Sequence, residues 1–271
     1  MNKEQQSPKG WIEVLRAFQG MVSAFDRRTI HDILVVSVSA LVLIIIHYYA
    51  IDPGAVKLIR EMQHIGLDNI AGWLEFKVYY HPQQQLWRLG YWVLILVLAY
   101  FFIPLLVIKS LFKSTIRAYG FLLPASWKSI RIYLIMLVLM VPLVWVFSQT
   151  RSFQLRYPFY HLTVGEALWP YFWIWQGLYL LQFLALEFFF RGFMVHGLKR
   201  RFGNFSVLIM IIPYCMIHFG KPMPEAFAAV FAGLILGFLS LKTNSVLPGV
   251  LLHYGVALTM DLMALYYAGY F

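Results

Sequence analysis

Glu187 and Arg191 stand four positions apart in the run Leu186-Glu187-Phe188-Phe189-Phe190-Arg191-Gly192-Phe193. On a helix that spacing puts a carboxylate and a guanidinium on one face, one turn apart. The run closes a long apolar stretch, roughly 167–190, so the charges are set in a greasy surrounding. An ionisable residue inside a membrane span is costly and marks a functional site by default. Later apolar runs carry His218, His253 and Asp261, and Glu225 opens one of them. Glutamate, histidine and aspartate are the types that hold a metal or activate a water. An imidazole can ligate a metal or stabilise an oxyanion, and a buried carboxylate gains the basicity a general base needs. Each also has a plainer reading. Glu187 and Arg191 can be a structural ion pair, Glu225 a favourable charge at a helix N-terminus, and His218 a headgroup-level residue. His196, about half a turn from Arg191 in angle and beside basic residues, reads as interfacial.

The elements that must position these groups are membrane helices. Of 271 residues 61% are hydrophobic and 13% charged, and the mean hydropathy is +0.69, against about 45–50% apolar and about 25% charged in soluble domains. The fold class expected is all-α, a polytopic membrane protein of about seven transmembrane helices in one bundle. The spans are expected at about 32–51, 86–108, 130–147, 167–190, 205–219, 225–241 and from 246 to the C-terminus. Residues 1–31 read as a cytoplasmic amphipathic arm, with Trp11, Val14, Leu15, Phe18, Met21 and Val22 at helical spacing. Residues 32–271 form the transmembrane domain, and 52–86 form short helices at or outside the surface. No cleavable signal peptide is evident. The lone Cys215 excludes an internal disulfide and a thiolate metal cluster.

The net charge of +10 is explained by basic loops, not by nucleic acid, which is not an expected partner. With the N-terminus inside, 15 of the 22 lysines and arginines fall in inside segments, so the N-terminus is placed in the cytoplasm. The expected location is a bacterial inner (plasma) membrane, with membrane lipid and a peptide or protein substrate as partners.

Order and spacing add a resemblance. Glu187-Phe-Phe-Phe-Arg191-Gly192 resembles the first motif of the CPBP family of intramembrane proteases (the CAAX-protease and bacteriocin-processing, or Abi, family). Tyr214-Cys-Met-Ile-His218 looks like its second motif, and the stretch from Ser245 to His253 like its last. The similarity runs from about Trp169 to Ala264, within a core at about 167–271. It implies an α-helical membrane endopeptidase cutting near the C-terminus or in a membrane-proximal segment of its substrate. The glutamate would activate water, and His218 and His253 would stabilise the oxyanion or, with Glu187, hold a divalent metal such as zinc. Two positions depart from the pattern. The first of two adjacent glutamates is Leu186 here, and the asparagine four residues after the last histidine is Ala257. Glu225 is the candidate for the missing carboxylate. Asp261 is the candidate for the missing asparagine and for orienting His253, with Arg191 positioning Glu187 through their ion pair. Two readings stay open: a membrane-embedded peptidase, and a non-catalytic relative (scaffold or immunity-type protein) or small proton-coupled transporter.

Overall fold

The computed structural model describes residues 8–23, 25–51, 53–124, 126–162 and 165–270. Helix α1 (Pro8–Ser23) leaves Trp11, Val14 and Leu15 exposed. The side chains of Phe18, Met21 and Val22, which completed the expected apolar stripe, lie outside the described residues. Helix α2 (Arg27–Tyr49) begins inside the stretch assigned to the arm, because Asp26 caps it by accepting the Thr29 N–H at 2.7 Å. Short helices α3 (Gly54–His64) and α4 (Asp68–Glu75) follow, then the rod α5 (Gln84–Val97) and α6 (Ile103–Ser110), joined by a π-helical turn at Leu98–Phe102. Helix α7 (Trp127–Ser148) is followed by the single turn α8 (Arg151–Gln154).

The second half opens with α9 (Tyr171–Glu187), which runs without a break through wide turns at Phe188–His196 into α10 (Gly197–Phe202). This 32-residue rod is the most enclosed of the long apolar helices and spans about 48 Å of rise. The span expected at 167–190 therefore does not stop at Phe190: Arg191 and His196 continue it, both buried. Helices α11 (Phe205–Met216), α12 (Met223–Thr243) and α13 (Leu247–Tyr267) complete the bundle.

Among the described residues six helices are long and apolar enough to cross a membrane, and no strand is present. The protein is an all-helical, multi-pass integral membrane protein. The fifth expected span, 205–219, is the shorter apolar helix α11 of 12 residues, about 18 Å long, which with the six long helices makes a bundle of about seven. The chain turns back through Gly220 and Pro222 before α12. Helices α11 and α12 then pack closely. A side chain at Gly233 or Gly237 would collide with Ile211 and Tyr214, or with Val207, the small-residue contact by which membrane helices approach.

Helices α9 and α13 run antiparallel at the centre, α5 lies on α9, and α7 leans on α13 from outside. The starts of α2 and α13 and the end of α10 share one end of the bundle. Arg201 bonds Asp32 and Thr29 across it, and Ser245 Oγ donates to the Leu122 carbonyl.

Candidate active site at the centre of the bundle

Glu187 lies near the midpoint of the long rod, sixteen residues from Tyr171 and fifteen from Phe202. The expectation that it sits at one end of its span is thereby corrected. Its side chain is 1% exposed. One oxygen, Oε1, accepts from Arg191 Nη1 at 2.9 Å and from His253 Nδ1 at 3.0 Å. The other, Oε2, faces the backbone of α13 at Gly249, where a Cβ would stand 3.0 Å away. Glycine there lets α13 close on the carboxylate.

Arg191 is fully buried, with its guanidinium 4.2 Å from the Tyr214 ring centroid. This cation–π contact and the carboxylate compensate the buried charge. Its Nε and Nη2 make no hydrogen bond.

His253 projects from the second turn of α13, its ring 4.4 Å from that of Phe183 and its side chain 20% exposed. Because Nδ1 meets a carboxylate, which only accepts, that nitrogen carries the proton. Nε2 of the neutral ring then offers a lone pair. His218 follows the last turn of α11, and its Nδ1 donates to the Tyr214 carbonyl at 2.8 Å. A carbonyl also only accepts, so His218 has the same tautomer. His218 is close enough to His253, Glu225 and Lys221 to be acted on by their charges. The three motifs are thus drawn together through Tyr214, which touches Arg191 with its ring and His218 with its carbonyl.

Glu225 and Asp261 belong to a separate polar layer beyond His218. Tyr157 Oη stands 2.9 and 2.8 Å from the two oxygens of Glu225 and donates its single proton there. Lys221 Nζ donates to Glu225 Oε1 at 2.8 Å and to Tyr157 Oη at 3.0 Å. Burial pulls the Lys221 ammonium below the usual lysine range, against the opposing pull of Glu225. The Tyr157 phenol is pushed well up, chiefly by burial. Asp261 does not orient His253. It accepts from Trp175 Nε1 at 3.0 Å, Gln176 Nε2 at 2.8 Å and the Phe159 backbone N–H at 3.3 Å. Eight residues separate it from His253, about 12 Å along α13; the shared helical angle aligns the two but leaves Asp261 in the next layer. Tyr157, Phe159, Trp175 and Gln176 escaped the sequence reading. A signal existed only for Gln176, an amide inside an apolar run.

His196, expected at the interface, is buried. Its Nδ1 accepts from Lys199 Nζ at 3.0 Å, and its ring faces Gly120. Leu186 lies in the apolar core that includes Phe189, Phe190 and Tyr214, and Ala257 packs in the cluster with Phe183, Tyr179 and Trp175. Neither position has acquired a polar substitute.

The donor set does not suit a metal. Among the described residues no three of histidine, cysteine, aspartate and glutamate gather closely enough to hold one. The Glu187 oxygen nearest an imidazole already accepts two N–H donors, one of them cationic. What the arrangement offers is a buried carboxylate backing one imidazole, a second imidazole nearby, and two guanidinium nitrogens, Nε and Nη2, without partners.

Residues 168–259, about a third of the chain, match the family model described as type II CAAX prenyl endopeptidase Rce1-like. No curated protein and no solved structure matches the chain. The matched stretch contains Glu187, Arg191, His218, Glu225 and His253, so the arrangement built from Glu187 upward is the part of the molecule that falls within the match. Over residues 168–259 this chain is similar to the Rce1-like family of type II CAAX prenyl endopeptidases.

Proposed function

We propose that this protein is a membrane-embedded endopeptidase that hydrolyses a peptide bond in a membrane-associated or C-terminal segment of its substrate. The observation that carries the proposal is the hydrogen bond from His253 Nδ1 to the buried Glu187 carboxylate. A carboxylate behind an imidazole fixes its tautomer and stabilises the imidazolium formed when the other nitrogen takes a proton. In this reading His253 Nε2 removes the proton from a water as that water attacks the scissile carbonyl. Glu187 holds His253 in register, and Arg191 fixes Glu187 through their ion pair. The buried guanidinium of Arg191, whose Nε and Nη2 have no partner, adds positive charge beside the reacting pair, which favours a developing oxyanion. The His253 imidazolium then gives that proton from Nε2 to the leaving amine as the carbon–nitrogen bond breaks, while His218 stays held by the Tyr214 carbonyl. No step runs through a metal. The distribution of lysine and arginine supports a cytoplasmic N-terminus in this reading.

The test is cleavage by the purified protein in nanodiscs of peptides ending in a Cys-aliphatic-aliphatic-X sequence, with and without a prenyl group, read by mass spectrometry. Wild type cleaves at least one of them. His253→Ala loses about 10²–10⁴-fold, and His47→Ala, on an exposed face of α2, does not. Failure of wild type on both peptides, or full activity in His253→Ala, removes the proposal. It would leave the non-catalytic reading, which the burial of Leu186 and Ala257 in apolar clusters favours.

A further inference from the structure

The geometry points to the seam between α7 and α13 as the route by which an apolar peptide chain anchored in the bilayer reaches the Glu187–His253 pair, with the Tyr133 hydroxyl as the group that binds its backbone. The inference rests on the peptidase reading for the identity of the occupant, but on different observations for the route.

A crevice of about 50 Å³ opens between the two helices. Leu134 and Leu251 at its rim are 44% and 63% exposed, so it faces the bilayer. Tyr133, Leu137, Pro248 and Leu252 line it. All but Tyr133 are hydrocarbon, which suits an aliphatic side chain and repels a charged one.

Tyr133 itself is 4% exposed, and its hydroxyl makes no hydrogen bond. Thr243, the hydroxyl side chain that acts on it, gives its own proton to the Leu239 carbonyl at 2.8 Å. A buried phenol without a partner is costly, and a peptide carbonyl entering the crevice would supply one. The same hydroxyl is close enough to Glu187 and Arg191 to be acted on by both charges. Tyr133 is therefore a shared neighbour of the crevice and of the reacting pair. Pro248 and Leu252 flank Gly249 and precede His253 on α13, so the crevice wall and the site are successive turns of one helix.

The helix that would have to yield is also the least enclosed of the long apolar helices. Helix α7 packs chiefly on α13, and its other main contact is with the four-residue α8. Moving it outward exposes apolar side chains to lipid, which solvates them as well as protein does. An opening elsewhere, such as between α9 and α13, would break the Glu187–His253 bond itself.

The experiment is photo-crosslinking in nanodiscs with an N-palmitoylated, biotinylated hexapeptide of leucine and alanine. The chain is too short to satisfy its carbonyls in a helix of its own. Position 134 on the seam, and position 41 on an exposed face of α2, are each replaced by p-benzoylphenylalanine. At least fivefold more adduct at 134 is expected. Adding Tyr133→Phe lowers it about fivefold, the worth of one hydrogen bond, while the thermal midpoint stays level or rises. Equal labelling at 134 and 41, or no effect of Tyr133→Phe, overturns the inference. Labelling does not depend on cleavage. Selective labelling by a protein that cleaves nothing keeps the route and removes hydrolysis, and cleavage with unselective labelling does the reverse.

Discussion

Gly249→Ala is a one-carbon perturbation aimed at the Glu187 carboxylate. The new Cβ would stand 3.0 Å from Oε2 and 3.6 Å from the carboxyl carbon. That is a few tenths of an ångström inside ordinary carbon–oxygen contact, and α13 backs the added atom, so Glu187 must move. Its other oxygen is fixed by bonds at 2.9 Å to Arg191 and 3.0 Å to His253. Hydrogen bonds to charged groups are worth about 1.5–3 kcal/mol each. Losing roughly half of one, about 1 kcal/mol, lowers kcat about fivefold. The effect on stability has the opposite sign, because alanine in a helix interior is favoured over glycine by about 0.5–1 kcal/mol. The expected result is a fall in kcat with KM unchanged and a thermal midpoint level or slightly raised, read from steady-state kinetics and thermal unfolding of the same nanodisc sample. Wild-type kcat in Gly249→Ala would refute the reasoning, because the carboxylate would then have room that the structure denies it. A fall in kcat accompanied by loss of the fold would refute it too, by showing that Gly249 serves the backbone and not the site.

Arg191→Met leaves a buried carboxylate with only a neutral imidazole beside it, and should destabilise by about 3–5 kcal/mol. Glu187→Gln combined with Arg191→Met should recover most of that loss, as thermal or denaturant unfolding would report. Activity should survive dialysis against strong zinc and iron chelators within about twofold, and a tenfold loss restored by added metal would contradict the donor set found at Glu187. Asp261→Asn replaces an acceptor of three N–H groups by a side chain with one accepting oxygen. It should lower stability by about 1–3 kcal/mol while leaving kcat per folded molecule unchanged, since Asp261 does not touch His253.

The sequence carried the motif order, the apolar spans and the Glu187–Arg191 pair, because each is a local pattern: a run of about 20 apolar residues, or a helical spacing of four. Depth was less legible. The basic run Lys199-Arg200-Arg201 and the charge on Arg191 suggested a span ending near Phe190, whereas Arg191 is neutralised from within by Glu187 and Tyr214. A charge paired inside the protein cannot be told from one facing water by sequence alone. At α11 an apolar run with room for a longer helix stops after 12 residues, a boundary that hydropathy alone does not mark. Asp261 was misassigned because angle was used without rise. Tyr157 and Phe159 arrive from a loop about 100 residues distant from Asp261, a contact that no local pattern encodes.

The departures at Leu186 and Ala257 now bear on chemistry, not on motif scoring. A water-activating glutamate at 186 would have to sit where Leu186 meets the largely aromatic and aliphatic core that includes Phe189, Phe190 and Tyr214. Leu186→Glu would therefore bury an unpaired charge at large cost; it should destabilise the protein and not raise its activity. The adjacent position is different: Glu187 holds an arginine and a histidine by the same oxygen. If hydrolysis occurs, the proton must leave water through His253, the only one of the two imidazoles whose Nδ1 rests on a carboxylate. Replacing Glu187 by Gln then separates the two possible roles of that carboxylate. A glutamine that still accepts from His253 keeps the tautomer but loses the charge, so kcat should fall about 10²-fold or more with little change in KM. A glutamate that served only as a structural ion pair would show its loss in stability and leave kcat per folded molecule intact.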